Sequence, residues 1–117
     1  MNKFFENSSI NEILLLFMDQ EYYKEVLKLS SKDIRIIRQD SEIRKYSFIK
    51  KGYFVEINLK NKIIKHNCAY WNFKCAKRYK LCKHIAKVFL IMYERDSKKI
   101  LKDIVLNDWI FETFQSS

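Results

Sequence analysis

Two short pairs of residues in this 117-residue chain carry side chains that bind transition metals. The pairs are His66-Asn67-Cys68 and Cys82-Lys83-His84, and they contain both histidines and two of the three cysteines of the chain. Thiolate and imidazole are ligands that zinc prefers, and four of them complete a tetrahedral structural site. The residue types therefore predict a zinc centre formed by His66, Cys68, Cys82 and His84.

The spacing within each pair predicts the local structure around it. Residues i and i+2 of a strand point to the same face, so His66 and Cys68 can face one ion from the end of a strand. In a helix the same spacing rotates the side chains by about 200°, so Cys82 and His84 cannot share an ion from inside one. We expect Cys82 in the loop before a helix and His84 in its first turn, where the helix N-terminus also favours a thiolate.

The two pairs and their flanking residues resemble the SWIM zinc finger, a strand-strand-helix module with the pattern Cys-x-Cys, a variable gap and Cys-x-His. The resemblance covers about residues 53–93 and is carried by Cys68-Ala69-Tyr70-Trp71, by Cys82-Lys83-His84-Ile85-Ala86 and by an apolar helix after them. It places Cys68, Cys82 and His84 on three of the family's ligand positions. His66 falls on the fourth, where the family usually has cysteine.

Cys75 competes with His66 for the fourth ligand position. It follows Cys68 closely and reaches the ion if the intervening segment folds back, whereas the SWIM pattern favours His66. If Cys75 is not a ligand, we expect it to be buried and to pack like a small apolar side chain, which is the common role of a lone intracellular cysteine. If His66 is not a ligand, it is a strand histidine among lysines.

The net charge of +9 is concentrated in the middle of the chain. Residues 32–93 have a net charge of +12, whereas residues 1–31 and 94–117 have −2 and −1. A basic segment of this kind is typical of a nucleic-acid-binding surface, although lysines at strand edges also discourage aggregation. The candidate contacts are Lys62, Lys65, Lys74, Lys77, Arg78, Lys80 and Lys83, among which Lys77, Arg78 and Lys80 are the first choices.

Aromatic residues lie among these cations between the two ligand pairs. Tyr70, Trp71 and Phe73 precede or alternate with the lysines of residues 74–80. Because aromatic faces stack on exposed bases while cations hold the backbone, this segment is the best candidate for contact with single-stranded nucleic acid. Trp71 is the exception, since a small zinc module is expected to bury an aromatic ring near its ligands.

Hydrophobic periodicity predicts an α+β fold for a single domain over residues 1–117. The capping box Ser9-Ile10-Asn11-Glu12 begins a predicted N-terminal helix over residues 9–29. Residues Ile10, Ile13, Leu14, Phe17 and Met18 recur at the spacing of a buried helical stripe, which indicates core packing or a face that docks a second protein. A C-terminal helix is predicted over residues 98–114, where the large apolar side chains are either core or protein interface.

Between these helices the period changes to that of strands. Residues 33–52 are predicted to form the leading strands, and the alternation of Tyr53, Val55 and Ile57 predicts the next one. Lys51-Gly52 and Asn61-Lys62 are predicted turns. The result is an antiparallel meander of three to four strands that runs into the zinc-bound strand-strand-helix unit at residues 53–93.

These features lead to two function classes. The first is a zinc-stabilised module that binds nucleic acid, with DNA expected ahead of RNA. The resemblance to small free-standing SWIM proteins further implies an accessory factor of homologous recombination. The second is an adaptor whose apolar helices dock a RecA-family recombinase paralogue or a second copy of this chain. An enzyme is not expected, because four protein ligands leave no open metal position for water.

The sequence also predicts the compartment. Three cysteines, an odd number, in a chain with no signal-like N-terminus favour a reducing environment. The apolar run at residues 14–18 is too short to span a bilayer. We therefore expect a cytoplasmic protein without a membrane partner.

Overall fold

A five-stranded sheet and a layer of short helices enclose the core of the protein. The computed structural model describes residues 3–114, so the predicted single domain over residues 1–117 extends beyond the described residues at both ends. The fold is α+β, as predicted. The α-helices of the described range are α1 (Lys3–Asn7), α2 (Ile10–Leu14), α3 (Gln20–Lys28), α4 (Lys83–Ile91) and α5 (Glu94–Leu106).

The strands lie in the sheet in the same order as in the sequence. The first four form the predicted antiparallel meander, and a fifth pairs with the fourth in parallel. Gly52, in the first predicted turn, has a φ of +67°, a backbone conformation that favours glycine. The strands are β1 (Ile34–Gln39), β2 (Ile43–Phe48), β3 (Tyr53–Asn58), β4 (Ile63–His66) and β5 (Ile110–Thr113).

The predicted continuous helix over residues 9–29 is wrong, because two short helices occupy this range. The capping box is present, since the Ser9 hydroxyl accepts from the Glu12 N–H and the Glu12 carboxylate accepts from the Ser9 N–H. Helix α2 nevertheless ends at Leu14. The carboxylate of Asp19 accepts a hydrogen bond from the Tyr22 N–H at 2.8 Å and caps the start of a separate helix, α3.

The predicted C-terminal helix over residues 98–114 is also partly wrong. Helix α5 begins earlier, at Glu94, and ends at Leu106. Residues 110–113 then form β5, which pairs with the strand that carries His66. Ile110 is exposed and Phe111 is buried, which is the alternation of a strand with one buried face.

One continuous hydrophobic core joins the sheet to the helices. The predicted stripe of α2 and the following turn is buried, whereas Leu15 and Leu16 between its members are exposed. Tyr46, Val55 and Ile57 cover the inner face of the sheet, and Phe89 and Leu101 pack into the same cluster from α4 and α5. Within residues 3–114, every helix is too short or too polar to cross a membrane.

Candidate metal centre and basic surface

The four predicted ligands converge at one end of the sheet. His66 is the last residue of β4, and Cys68 follows it two residues later. Cys82 is the N-cap of α4 and His84 lies in its first turn, as the spacing predicted. Their donor atoms lie within 4.8 Å of one another, and all four residues are buried. We call these residues, His66, Cys68, Cys82 and His84, the ligand cluster.

The geometry of the ligand cluster fits a tetrahedral metal ion. Two nitrogens at about 2.0–2.1 Å from a tetrahedral zinc ion lie roughly 3.3–3.4 Å from each other. The observed separation of His66 Nε2 and His84 Nδ1 is 3.3 Å. The ligand cluster can therefore hold a metal ion, and its two nitrogens and two sulfurs are compatible with zinc.

Backbone groups around the ligand cluster orient its donor atoms. Nδ1 of His66 lies 2.5 Å from the carbonyl oxygen of Phe54. Donation of the Nδ1 proton to this carbonyl leaves the lone pair of Nε2 directed at the cluster, the arrangement found around metal-bound histidines. On the other side, the backbone N–H of Trp71 donates to Cys68 Sγ at 3.3 Å, which stabilises negative charge on the sulfur.

The two cysteines of the ligand cluster have pKa values shifted in opposite directions. A hydrogen bond from the Cys82 thiol lowers the pKa of Cys68, and His66 and His84 act in the same direction. Burial raises the pKa of Cys82, and the neighbouring Cys68 sulfur raises it further. The protein alone thus stabilises one thiolate, and a bound cation supplies the charge that a second thiolate requires.

Aromatic rings enclose the imidazoles of the cluster. The ring of Phe48 meets His84 edge-on at 4.9 Å, and Tyr53 lies 4.8 Å from the same imidazole. Trp71 is fully buried, as predicted, with its centroid 6.1 Å from that of His66. These rings keep water from the donor atoms, which strengthens the attraction between a cation and its ligands.

Cys75 is separate from the converging donor atoms. It lies in a π-helical segment, Trp71–Cys75, where the Ala76 N–H bonds to the carbonyl of Trp71. Its side chain is buried, and burial raises the pKa of its thiol to about 12. Of the two alternatives for the fourth position, the geometry favours His66, and Cys75 has the environment of a small apolar residue.

Three side chains support the centre through hydrogen bonds that the sequence did not predict, although the burial of one of them, Trp71, was predicted. The hydroxyl of Tyr22 in α3 accepts a hydrogen bond from the Lys83 N–H at 2.9 Å, at the start of α4. The indole of Trp71 donates to the carbonyl of Glu112 in β5 at 2.7 Å. Asn67 bonds to both β3 and the β2–β3 turn, since its side chain accepts from the Phe54 N–H and donates to the carbonyl of Gly52. These are long-range contacts to backbone groups, which leave no local pattern in the sequence.

The seven predicted nucleic-acid contacts fall into two groups. Lys62 pairs with Asp103 at 2.9 Å. Lys65 and Lys83 each lie 4.0 Å from a glutamate, Glu112 and Glu25 respectively. The other four residues are exposed and form no ion pair with any residue of the described range 3–114, and they are Lys74, Lys77, Arg78 and Lys80.

The four unpaired cations lie on one stretch of chain between the ligand pairs. We call residues 69–80 the connecting segment. It contains no acidic residue, and it is anchored internally by the buried side chains of Trp71 and Cys75. Tyr79 has a φ of 55°, and the Lys80 N–H returns to the carbonyl of Cys75 at 3.2 Å, which ends the helical turns. The segment therefore presents its cations from a fixed backbone.

Comparison with known proteins gives no relative, because no protein-family model, curated protein or solved structure matches this chain.

Proposed function

We propose that this chain is a zinc-binding module that binds nucleic acid, with DNA as the expected ligand, through its connecting segment. The observation that carries the proposal is the placement of four unpaired cations on a segment whose two ends lead into the ligand cluster. A metal ion bound there fixes both ends of the segment. Because no carboxylate within residues 3–114 pairs with these cations, they can pair with phosphates.

Zinc is the proposed metal because of the donor set. Two thiolates and two imidazoles in a closed, buried, four-donor arrangement match structural zinc sites. Such a site supplies folding energy and not catalysis, so we propose a non-enzymatic role. The thiolates also require a reducing compartment, for which we propose the cytoplasm.

The more specific role rests on the SWIM resemblance of residues 53–93. Small free-standing members of that family include accessory factors of homologous recombination. We propose a role of this kind for the present chain, in which the basic connecting segment contacts the DNA on which recombination proceeds. The resemblance supplies this biological context, and the physical proposal on metal and nucleic acid stands without it.

The metal assignment is tested by elemental analysis of protein purified without chelators. We expect about one zinc per chain in the wild type and in Cys75→Ala, and loss of zinc in His66→Ala and Cys82→Ala. Retention of zinc in His66→Ala with its loss in Cys75→Ala would reverse the assignment of the fourth ligand. Zinc-free wild-type protein would overturn the metal proposal.

The nucleic-acid assignment is tested by the salt dependence of binding to a labelled DNA duplex. Four phosphate contacts predict a slope of log K against log salt of about −3.6 for duplex DNA. The variant with glutamine at all four unpaired cations is expected to lose this slope. A salt-independent interaction, or no binding at low salt to either duplex or single-stranded DNA, would contradict the proposal.

A second candidate function, an interaction adaptor, is favoured by one apolar surface. A groove of about 490 Å³ lies between the α2–α3 turn and the end of α5. Leu16 and Val105 line this groove, and both side chains are exposed, so the groove offers apolar surface to a partner. The SWIM resemblance suggests a RecA-family recombinase paralogue as the occupant.

The adaptor function predicts direct binding to a purified RecA-family paralogue. Val105→Glu, at a residue that lines the groove, is expected to abolish that binding while DNA affinity stays unchanged. Light scattering of the isolated chain tests the competing occupant. A dimer that Val105→Glu converts to a monomer would assign the groove to a second copy of this chain.

A further inference from the structure

The connecting segment carries an exposed aromatic ring that phosphate binding does not explain. Phe73 is 78% exposed, the largest exposed fraction among the big hydrophobic side chains of the described residues. Within residues 3–114 it stacks on no other ring. An apolar ring in water is unfavourable, so a ligand that covers it gains free energy.

The backbone around Phe73 is held in place on both sides. Trp71 is buried two residues before it and donates to the Glu112 carbonyl, and Cys75 is buried two residues after it. Within this π-helical segment the side chain of Phe73 is directed away from the core. The ring is therefore presented by a fixed backbone, which lowers the entropy lost when a ligand stacks on it.

The neighbours of Phe73 define the chemistry of its ligand. Lys74 follows it directly, and Lys77 and Arg78 lie within the next turn and a half of chain, with no acidic residue in the connecting segment. A ligand that satisfies both the ring and the cations has an apolar planar face and repeated negative charges. An acidic peptide with aromatic residues offers planar faces less regularly than a polynucleotide, in which each phosphate accompanies one base.

The other rings of the segment are less available for a ligand. Tyr70 already stacks on Tyr22, with ring centroids 4.5 Å apart. Tyr79 is exposed but contacts Phe111 at a centroid distance of 5.5 Å. Among the aromatic residues of the segment, Phe73 is thus the most exposed ring, and it contacts no other ring within residues 3–114.

The exposed ring also indicates whether the segment binds single-stranded or duplex nucleic acid. In a duplex the base faces are covered by neighbouring base pairs, so only an unpaired strand can place a base on the ring of Phe73. We propose that the connecting segment binds single-stranded nucleic acid in preference to duplex, with Phe73 stacking on a base and the four cations contacting the flanking phosphates. This inference rests on the proposed function of the segment.

The test compares three fluorescein-labelled 15-mers of one sequence, as single-stranded DNA, as single-stranded RNA and as a DNA duplex, by anisotropy. We expect single strands to bind at least about tenfold more tightly than the duplex. Phe73→Leu keeps an apolar side chain without an aromatic face. It is expected to lose about tenfold in affinity for single strands and to bind the duplex as the wild type does.

The matched control is Phe54→Leu, which changes a ring that is 45% exposed in β3 and lies outside the connecting segment. It is expected to leave all three affinities unchanged. Phe73→Trp preserves stacking and adds a fluorophore, whereas the two native tryptophans are buried. We expect single strands to quench the added fluorescence and the duplex to leave it unchanged.

The outcomes separate this inference from the proposed function. Equal affinity for duplex and single strands, with no effect of Phe73→Leu, would overturn the stacking inference and leave the phosphate contacts standing. Tighter binding of single strands than of duplex, with a loss of single-strand affinity in Phe73→Leu and unchanged duplex affinity, would support it. Failure of all three oligonucleotides to bind would overturn the proposed function itself. A difference between the DNA and RNA single strands identifies which of the two the segment prefers.

Discussion

The connecting segment and the β3–β4 turn are both rich in basic residues, but their cations have different surroundings. In the turn, Lys60 lies 3.8 Å from Glu42 and Lys62 lies 2.9 Å from Asp103. In the connecting segment, the cations have no acidic partner among the described residues 3–114. Both regions contribute to the net charge of +9. Of these two regions, the connecting segment is the one whose cations can pair with a phosphate without displacing a carboxylate of the described residues.

The two regions also differ in how they are held. The connecting segment begins and ends at the ligand cluster, where polar donors are buried. The β3–β4 turn is held by strand pairing and by the carboxylate of Asp103, which accepts from Lys62, from Trp109 at 2.7 Å and from Asn107 at 2.7 Å. A bound metal therefore stabilises the first region far more than the second, and this difference can be tested.

Loss of the metal is expected to have the largest effect. Binding of structural zinc is worth about 10–16 kcal/mol in small domains, which equals or exceeds the usual stability of a folded domain. We expect Cys68→Ser, or the wild type with a strong chelator, to lose cooperative thermal unfolding followed by circular dichroism. The control is Cys75→Ser, which alters a buried cysteine outside the ligand cluster and is expected to cost only about 1–2 kcal/mol. Unchanged melting of fully demetallated protein would contradict a structural metal.

Neutralising the connecting segment is expected to have the next largest effect, on binding instead of stability. Glutamine at Lys74, Lys77, Arg78 and Lys80 removes four potential phosphate contacts, and the affinity for duplex DNA at 50 mM salt should fall at least about a hundredfold. The double variant Lys60→Gln, Lys62→Gln removes cations that are already paired and should change the affinity less than about threefold. Equal losses in the two variants would show that total charge, and not its local pairing, decides binding.

The two buried tryptophans allow the hydrogen bonds of the two regions to be compared. Trp71 lies in the connecting segment, and Trp109 binds the carboxylate that holds the β3–β4 turn. Trp71 donates to the backbone carbonyl of Glu112, which Trp71→Phe would leave without this donor. Trp109 donates to Asp103, whose carboxylate keeps Lys62 and Asn107. We expect Trp71→Phe to cost about 1–3 kcal/mol in urea unfolding and Trp109→Phe to cost less. The reverse order would mean that packing, and not the lost donor, dominates both substitutions.

The smallest effect is expected at the Lys62–Asp103 pair. Burial alone would raise the pKa of Asp103, but the hydrogen bonds from Lys62 and Trp109 outweigh it and lower the pKa. Because the folded state has the lower pKa, the stabilisation is complete at neutral pH and is lost as the pH falls through that value. Asp103→Asn should cost under about 1 kcal/mol at pH 7, since the pair is partly exposed and screened.

The measurement for Asp103→Asn is urea unfolding at pH 7 in low and high salt. The difference from the wild type should shrink as salt rises. Asp108→Asn, which changes an exposed carboxylate without an ion pair in the described range, should be neutral at both salt concentrations. A cost that is independent of salt would instead assign the role of Asp103 to its neutral hydrogen bonds.

Much of the candidate site was predictable because its signals are local. Residue type and i, i+2 spacing indicated the strand end for His66 and the helix start for Cys82 and His84. Alternating polarity likewise predicted β3 and the meander. The errors came where two local signals conflicted, since the spacing of residues 10–18 fits a long helix while Asp19 is a strong N-cap. At residues 110–113 the helical spacing continued by chance into a strand.

The sequence by itself determined the ligand types, the excess of basic residues and the α+β pattern, because each depends on neighbours along the chain. Only the tertiary structure decided that His66 and not Cys75 joins the converging donors. It also decided that Lys62, Lys65 and Lys83 lie near carboxylates, while the four cations of the connecting segment have no acidic partner within residues 3–114. It also added β5 to the strand that carries His66. The physical reason is that coordination, ion pairing and sheet pairing join residues tens of positions apart, and their distances are set by packing of the whole core.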